Sequence, residues 1–243
     1  NIHIRPFVLG GLDIYEDVNN PGKAAHKWKS NAGGDIKIGI GPNVILDATI
    51  LPDFGQVEAD PSQVNLSTFE TYFQEKRPFF IEGKNILNFQ ITGGDGGFSR
   101  DNLFYSRRIG RSPHYYPETE DAEYIDQPNN TRILGAAKIT GKTREGWSVG
   151  ILESVTTQEF AEIDLEGDRR KEKVEPFTNY FLGRLHKDIN KGNTQIGGMI
   201  TSVNRKINAE QLEYLHSDAY TGGFDFTHQW KDKTYFLNFK TVF

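Results

Sequence analysis

Apolar and polar residues alternate with a period of two along much of this chain, the mark of strands with two unlike faces. Ile36, Ile38 and Ile40 alternate with Asp35, Lys37 and Gly39. Gly41, Pro42 and Asn43 then supply a tight turn, because Gly and Asn accept positive φ and Pro fixes its own. Val44, Leu46, Ala48 and Ile50 return opposite a face carrying Asn43, Asp47 and Thr49. This pattern predicts a hairpin. The second half repeats it. Residues 131–140 and 147–157 flank a polar turn at 141–146. Residues 177–185 and 194–203 flank a turn at 188–193, and 219–230 and 234–243 flank Lys231, Asp232 and Lys233. In the clearest strand, Tyr220, Gly222, Phe224 and Phe226 share one face; Thr221, Gly223, Asp225, Thr227 and Gln229 share the other. Residues 160–176 and 204–217 are long and polar, and read as loops.

Connections thus alternate between short and long around strands of about ten residues, the habit of a transmembrane β-barrel. Trp147, Tyr180, Tyr220, Trp230 and Tyr235 fall near strand ends, where an aromatic girdle would sit. A soluble sandwich stays open on periodicity alone, although it favours shorter strands and more even spacing. Residues 65–130 lack clean alternation. Residues 68–76 fit a short helix or an extended segment, 93–97 form a glycine joint, and 115–130 are acidic and contain Pro. The expected organisation is first barrel strands at 1–64, an inserted loop serving as plug or cap at 65–130, and further hairpins at 131–243. The fold class expected is all-β, part of an antiparallel transmembrane β-barrel with long loops.

Composition narrows the picture. Of 243 residues, 36% are hydrophobic, and the mean hydropathy of −0.58 excludes a helical membrane protein. No run approaches the roughly 20 apolar residues of a spanning helix. Seventeen Phe, ten Tyr and 25 Gly favour β structure over disorder. A net charge of −5 with scattered Lys and Arg gives no basic footprint for nucleic acid. There is no Cys, which removes disulfides, thiolate metal sites and cysteine catalysis. The chain opens on Asn1 without a leader pattern, and 234–243 read as a strand with no closing turn, so a piece of a longer protein is expected.

Candidate chemistry is sparse. Asp53, Glu58 and Asp60 could hold Ca²⁺, but their spacing is not that of an EF-hand loop. Glu70, Glu75 and Glu82 lie among Tyr72, Phe73, Phe79 and Phe80, a mixture that sugar clefts use for paired-carboxylate hydrolysis. His3, His26, His114, His186, His216 and His228 form no ligand motif. Arg107, Arg108 and Arg111 make the densest basic patch. They suit either an anion such as lipopolysaccharide or an arginine ladder facing Asp35, Asp47, Asp53 and Glu58. No catalytic, metal or cofactor residue is assigned.

The strings DFGQVEAD at 53–60, EKRPFFIEG at 75–83, FYSRRIGR at 104–111 and ILGAAKITGK at 133–142 give the chain a resemblance to an uncharacterised family of large outer-membrane proteins of Bacteroidota and related bacteria. The resemblance implies a domain similar to carbohydrate-binding module family nine ahead of a long β-barrel region of unknown function. It therefore implies an outer-membrane fragment in a Gram-negative bacterium, acting as conduit or scaffold. Expected partners are outer-membrane lipid, carbohydrate or other nutrient, and other surface proteins, with no nucleic acid and no cofactor. A surface glycoside hydrolase and a soluble carbohydrate-binding module are the alternatives.

Overall fold

Among the described residues, twelve strands run in chain order as β1 (Ile2–Glu16), β2 (Ala24–Ile40), β3 (Val44–Ile50), β4 (Tyr124–Asp126), β5 (Ile133–Lys142), β6 (Trp147–Thr156), β7 (Glu159–Leu165), β8 (Asp168–Glu175), β9 (Phe177–Ile189), β10 (Thr194–Lys206), β11 (Asp218–Trp230) and β12 (Tyr235–Val242). They come from a computed structural model that describes residues 1–16, 24–52, 72–91, 101–118, 124–165 and 168–243. The protein is all-β. Among the described residues, one sheet has the order β1-β2-β3-β5-β6-β9-β10-β11-β12 and a small one the order β4-β7-β8. Every pairing is antiparallel. Among the described residues the large sheet does not close on itself: β1 pairs with β2 and β12 with β11, and not with each other.

Short turns join β2 to β3, β5 to β6, β9 to β10 and β11 to β12 at one end of the sheet. The longer connections, including 51–132, 157–176 and 207–217, leave from the other end. Residues 160–176, expected as a loop, are instead mostly the β7–β8 hairpin. Their charges misled the reading because they pair across the strands. Glu162 stands opposite Lys171 and Asp164 opposite Arg169, each pair bridging at 2.7 Å. Ala161, Ile163 and Val174 occupy the buried positions of the same hairpin.

Register turns the period of two into two faces. One row across eight strands reads Ile2, Ile38, Leu46, Ile139, Ile151, Gly183, Ile200 and Gly222. The neighbouring row, one residue along, reads His3, Lys37, Asp47, Lys138, Leu152, Leu182, Thr201 and Thr221. The first row lies on an open face, where Ile2, Ile151 and Ile200 are 67%, 40% and 57% exposed. In the second, Asp47, Lys138, Leu152 and Leu182 are buried beneath other residues of the chain, whereas His3 and Thr221 at its ends are exposed.

That cover comes from residues 72–91 and 101–118. They include two single-turn helices, α1 (Pro78–Ile81) and α2 (Lys84–Leu87), and a 3₁₀ turn at Ser106–Arg108. Pro78 suits the first turn of α1, where its missing N–H is not needed. Phe80, Leu87, Phe89 and Ile109 pack on Ile133, Leu152, Tyr180, Leu182 and Met199 of the sheet, and this is the hydrophobic core. The approach is close. A Cβ on Gly223 would stand 2.7 Å from the Phe89 ring, so only glycine fits beneath that side chain.

Candidate functional site

The chemistry-bearing side chains gather on the covered face. At its β2–β5 side, Lys37 bridges Asp47 at 3.5 Å and Glu82 at 2.5 Å. Lys138, fully buried, sits 3.7 Å from Asp47 and donates to the carbonyls of Phe79 and Glu82. A buried ammonium is tolerable only with such partners. Both lysines come from strands and Glu82 from the turn after α1, so the network fastens the covering segment to the sheet.

Further along, Arg184 of β9 pairs with Asp225 of β11, with Nη2 donating to Oδ2 at 3.0 Å. Its guanidinium also lies 5.0 Å from the centroid of Phe89. Asp188 takes hydrogen bonds from Lys142 and from Gln195. Arg184, Asp188, Lys142 and Gln195 line a cavity of about 310 Å³ near the short turns.

Within the covering segment, Glu75 and Arg77 form a buried bidentate pair. Arg77 Nε donates to Oε1 at 2.8 Å and Nη2 to Oε2 at 2.7 Å. The guanidinium also donates to the carbonyls of Ile109 and Ser106, and the Ser106 hydroxyl donates to Glu75. Burial pushes the Glu75 carboxyl up, but the Arg77 hydrogen bonds and charge outweigh it, and the group stays below its ordinary range.

At the long-connection end, Glu175 is buried and accepts from the backbone N–H of His114 at 2.9 Å, while His114 Nδ1 lies 2.6 Å away. The Tyr214 hydroxyl donates to the His114 carbonyl at 2.8 Å. A second cavity, of about 230 Å³, opens here between Arg108 and Arg111 of the covering segment and Tyr180, Thr201, Arg205 and Thr221 of the sheet.

Several sequence expectations change on this geometry. Glu75 and Glu82 do not face each other across a cleft: one is held by Arg77 and the other by Lys37. Glu70, Asp53, Glu58, Asp60, residues 93–97 and the side chain of His26 lie outside the described residues. Arg107 and Arg108 belong to the 3₁₀ turn, and lysines rather than arginines serve Asp47, so the ladder across Asp47 is not formed. Tyr180 points to the covered face and is buried, so it is no girdle residue. Trp230 and Tyr235 do stack, with centroids 5.9 Å apart, on the exposed side of the short-turn end. His3 sits on β1, His186 stands 3.8 Å from Asp188, His216 lends its carbonyl to Arg205, and His228 stacks on Trp230. No group of three or more metal-ligating side chains occurs among the described residues. The Arg184–Asp225 and His114–Glu175 pairs were invisible in the sequence, because 41 and 61 residues separate their members.

The fold and the covered face define an antiparallel all-β protein with an internally docked segment. The chain belongs to the family described as "Domain of unknown function (DUF5916)", which matches residues 3–243. No curated protein and no solved structure matches the chain.

Proposed function

We propose that this chain is part of an outer-membrane β-barrel of a Gram-negative bacterium, with residues 72–91 and 101–118 lodged in the lumen as a plug. One observation carries the reading. The row Ile2, Ile38, Leu46, Ile139, Ile151, Gly183, Ile200, Gly222 faces outward while Asp47 and Lys138 are buried. A soluble β protein buries its apolar rows and hydrates its charges. A membrane barrel does the reverse, turning alternate residues to acyl chains and the others to a polar interior. The segregation of short and long connections at opposite ends supports the same reading. A membrane tolerates no open strand edge, so β1 and β12 pair with further strands in it.

The role that follows is a conduit or scaffold for a carbohydrate, another nutrient or surface-protein assembly. The family resemblance adds an N-terminal domain similar to carbohydrate-binding module family nine. The hydrolase alternative loses support, since Glu75 is sealed by Arg77 and Ser106.

Cell fractionation of the full-length protein tests the membrane reading. It should pellet with outer membranes, need detergent for extraction, and run as a folded species on unheated gels that heating abolishes. A protein that is monodisperse in buffer without detergent would overturn it.

A further inference from the structure

We infer that the cavity at the long-connection end binds a small oxyanion, the carboxylate or phosphate group of a ligand about the size of one sugar ring. Its walls bring together three guanidinium groups from separate parts of the chain. Arg108 and Arg111 come from the covering segment and Arg205 from the last turn of β10. Arginine's planar fork matches carboxylate and phosphate oxygens.

Arg205 supplies an independent observation. Its Nη1 donates to the His216 carbonyl at 3.0 Å, yet its Nε is buried with no hydrogen-bond partner. A buried donor left unmade costs about 1–3 kcal/mol. A rotation of the Arg205 side chain toward an oxyanion seated in the cavity would give that donor an acceptor. Glu175, a buried carboxylate at this end, is engaged by His114. Hydroxyls of Tyr180, Thr201 and Thr221 also border the space, and can serve the remaining oxygens of such a ligand.

Size limits the guest. At about 230 Å³ the cavity falls below the ~300–1,000 Å³ of drug-sized sites. It therefore takes one ring or one acidic group, not an oligosaccharide. The inference goes beyond the membrane reading and stands without it, because the cavity exists whether lipid or water meets the open face.

Calorimetric titration of the full-length protein in detergent, with chloride holding ionic strength constant, tests it. The probes are D-glucuronate, inorganic phosphate and D-glucose. At least one of the two anions should bind saturably, and glucose should not. Arg205→Gln removes charge, and Ala219→Phe fills the cavity wall without touching charge. Arg205→Gln should weaken anion binding by about tenfold or more, the worth of one charge-assisted hydrogen bond, and Ala219→Phe should weaken it by excluding the guest. If Arg205→Gln fails to give the parent's circular-dichroism spectrum, Ala219→Phe decides alone. No anion binding, equal binding of glucose, or unchanged affinity in the folded variants would each overturn the site.

Discussion

Arg184 reaches Asp225 across an intervening strand, and Gly197 is what lets it pass. The three residues lie on β9, β10 and β11, with Gly197 in register with Asp225. A Cβ on Gly197 would stand 2.7 Å from Asp225 Oδ1 and 2.9 Å from Arg184 Nη1. Both side chains are mostly buried, at 7% and 15% exposure. Gly197→Ala is therefore expected to push the pair apart and destabilise the protein by about 1–3 kcal/mol, the usual cost of overpacking. In an Arg184→Ala, Asp225→Ala background the same substitution should be close to neutral. Denaturant unfolding of the four variants closes the cycle. Additive losses would mean that Gly197 matters for some reason other than the pair.

The open face offers a test that separates lipid from water. Ile200 is 57% exposed and Val8 82% exposed. In a water-soluble sheet, Arg at either position should change stability by about 0.5 kcal/mol or less. Against acyl chains near the midplane, Ile200→Arg should cost about 2–4 kcal/mol. Phe224→Arg should behave likewise, whereas Thr227→Arg, on the covered side, should be milder. Folding titrations in lipid vesicles measure all of these. A neutral Ile200→Arg would argue that the face meets water.

The Glu75–Arg77 pair should give the docked segment an acid sensitivity. The Glu75 carboxyl is held below its ordinary value in the folded protein. Its stabilisation is thus fully present above the unfolded-state value and is lost as pH falls through the folded one. Glu75→Gln should lower the thermal midpoint at pH 7, and the gap to the parent should close on acidification. Glu75→Ala leaves Arg77 buried without its carboxylate and should cost about 3–5 kcal/mol. A gap that stays constant down to strongly acidic pH would show that the pair contributes nothing ionic.

The two ends of the sheet should lie on opposite sides of the membrane. The chain lacks Cys, so single cysteines report cleanly. Lys171→Cys, in the exposed part of β8, should react with an impermeant maleimide on intact cells. Lys191→Cys and Asp232→Cys, both in short turns, should react only after the outer membrane is opened. Equal labelling of all three on intact cells would reject the topology.

Alternation around Gly41-Pro42-Asn43 and Lys231-Asp232-Lys233 made the hairpins of the large sheet legible, because a period of two and a turn are local properties. The same alternation placed Asp225 and Phe224 on opposite faces, which the structure keeps. The β7–β8 hairpin was not legible. Its charges look like loop residues until Lys171 stands opposite Glu162 and Arg169 opposite Asp164. Nor could the sequence say which face is covered, or that Glu75 is sealed by Arg77, Ser106 and a docked turn. By itself the sequence determined the hairpins at 36–50, 131–157, 177–203 and 219–243, their turns and the two unlike faces, since backbone geometry forces neighbouring side chains apart. Only the tertiary structure decided where 72–91 and 101–118 dock, that Arg184 meets Asp225 and that Arg205 borders a cavity. Those contacts join residues far apart in the chain, and no local pattern encodes a distance across strands.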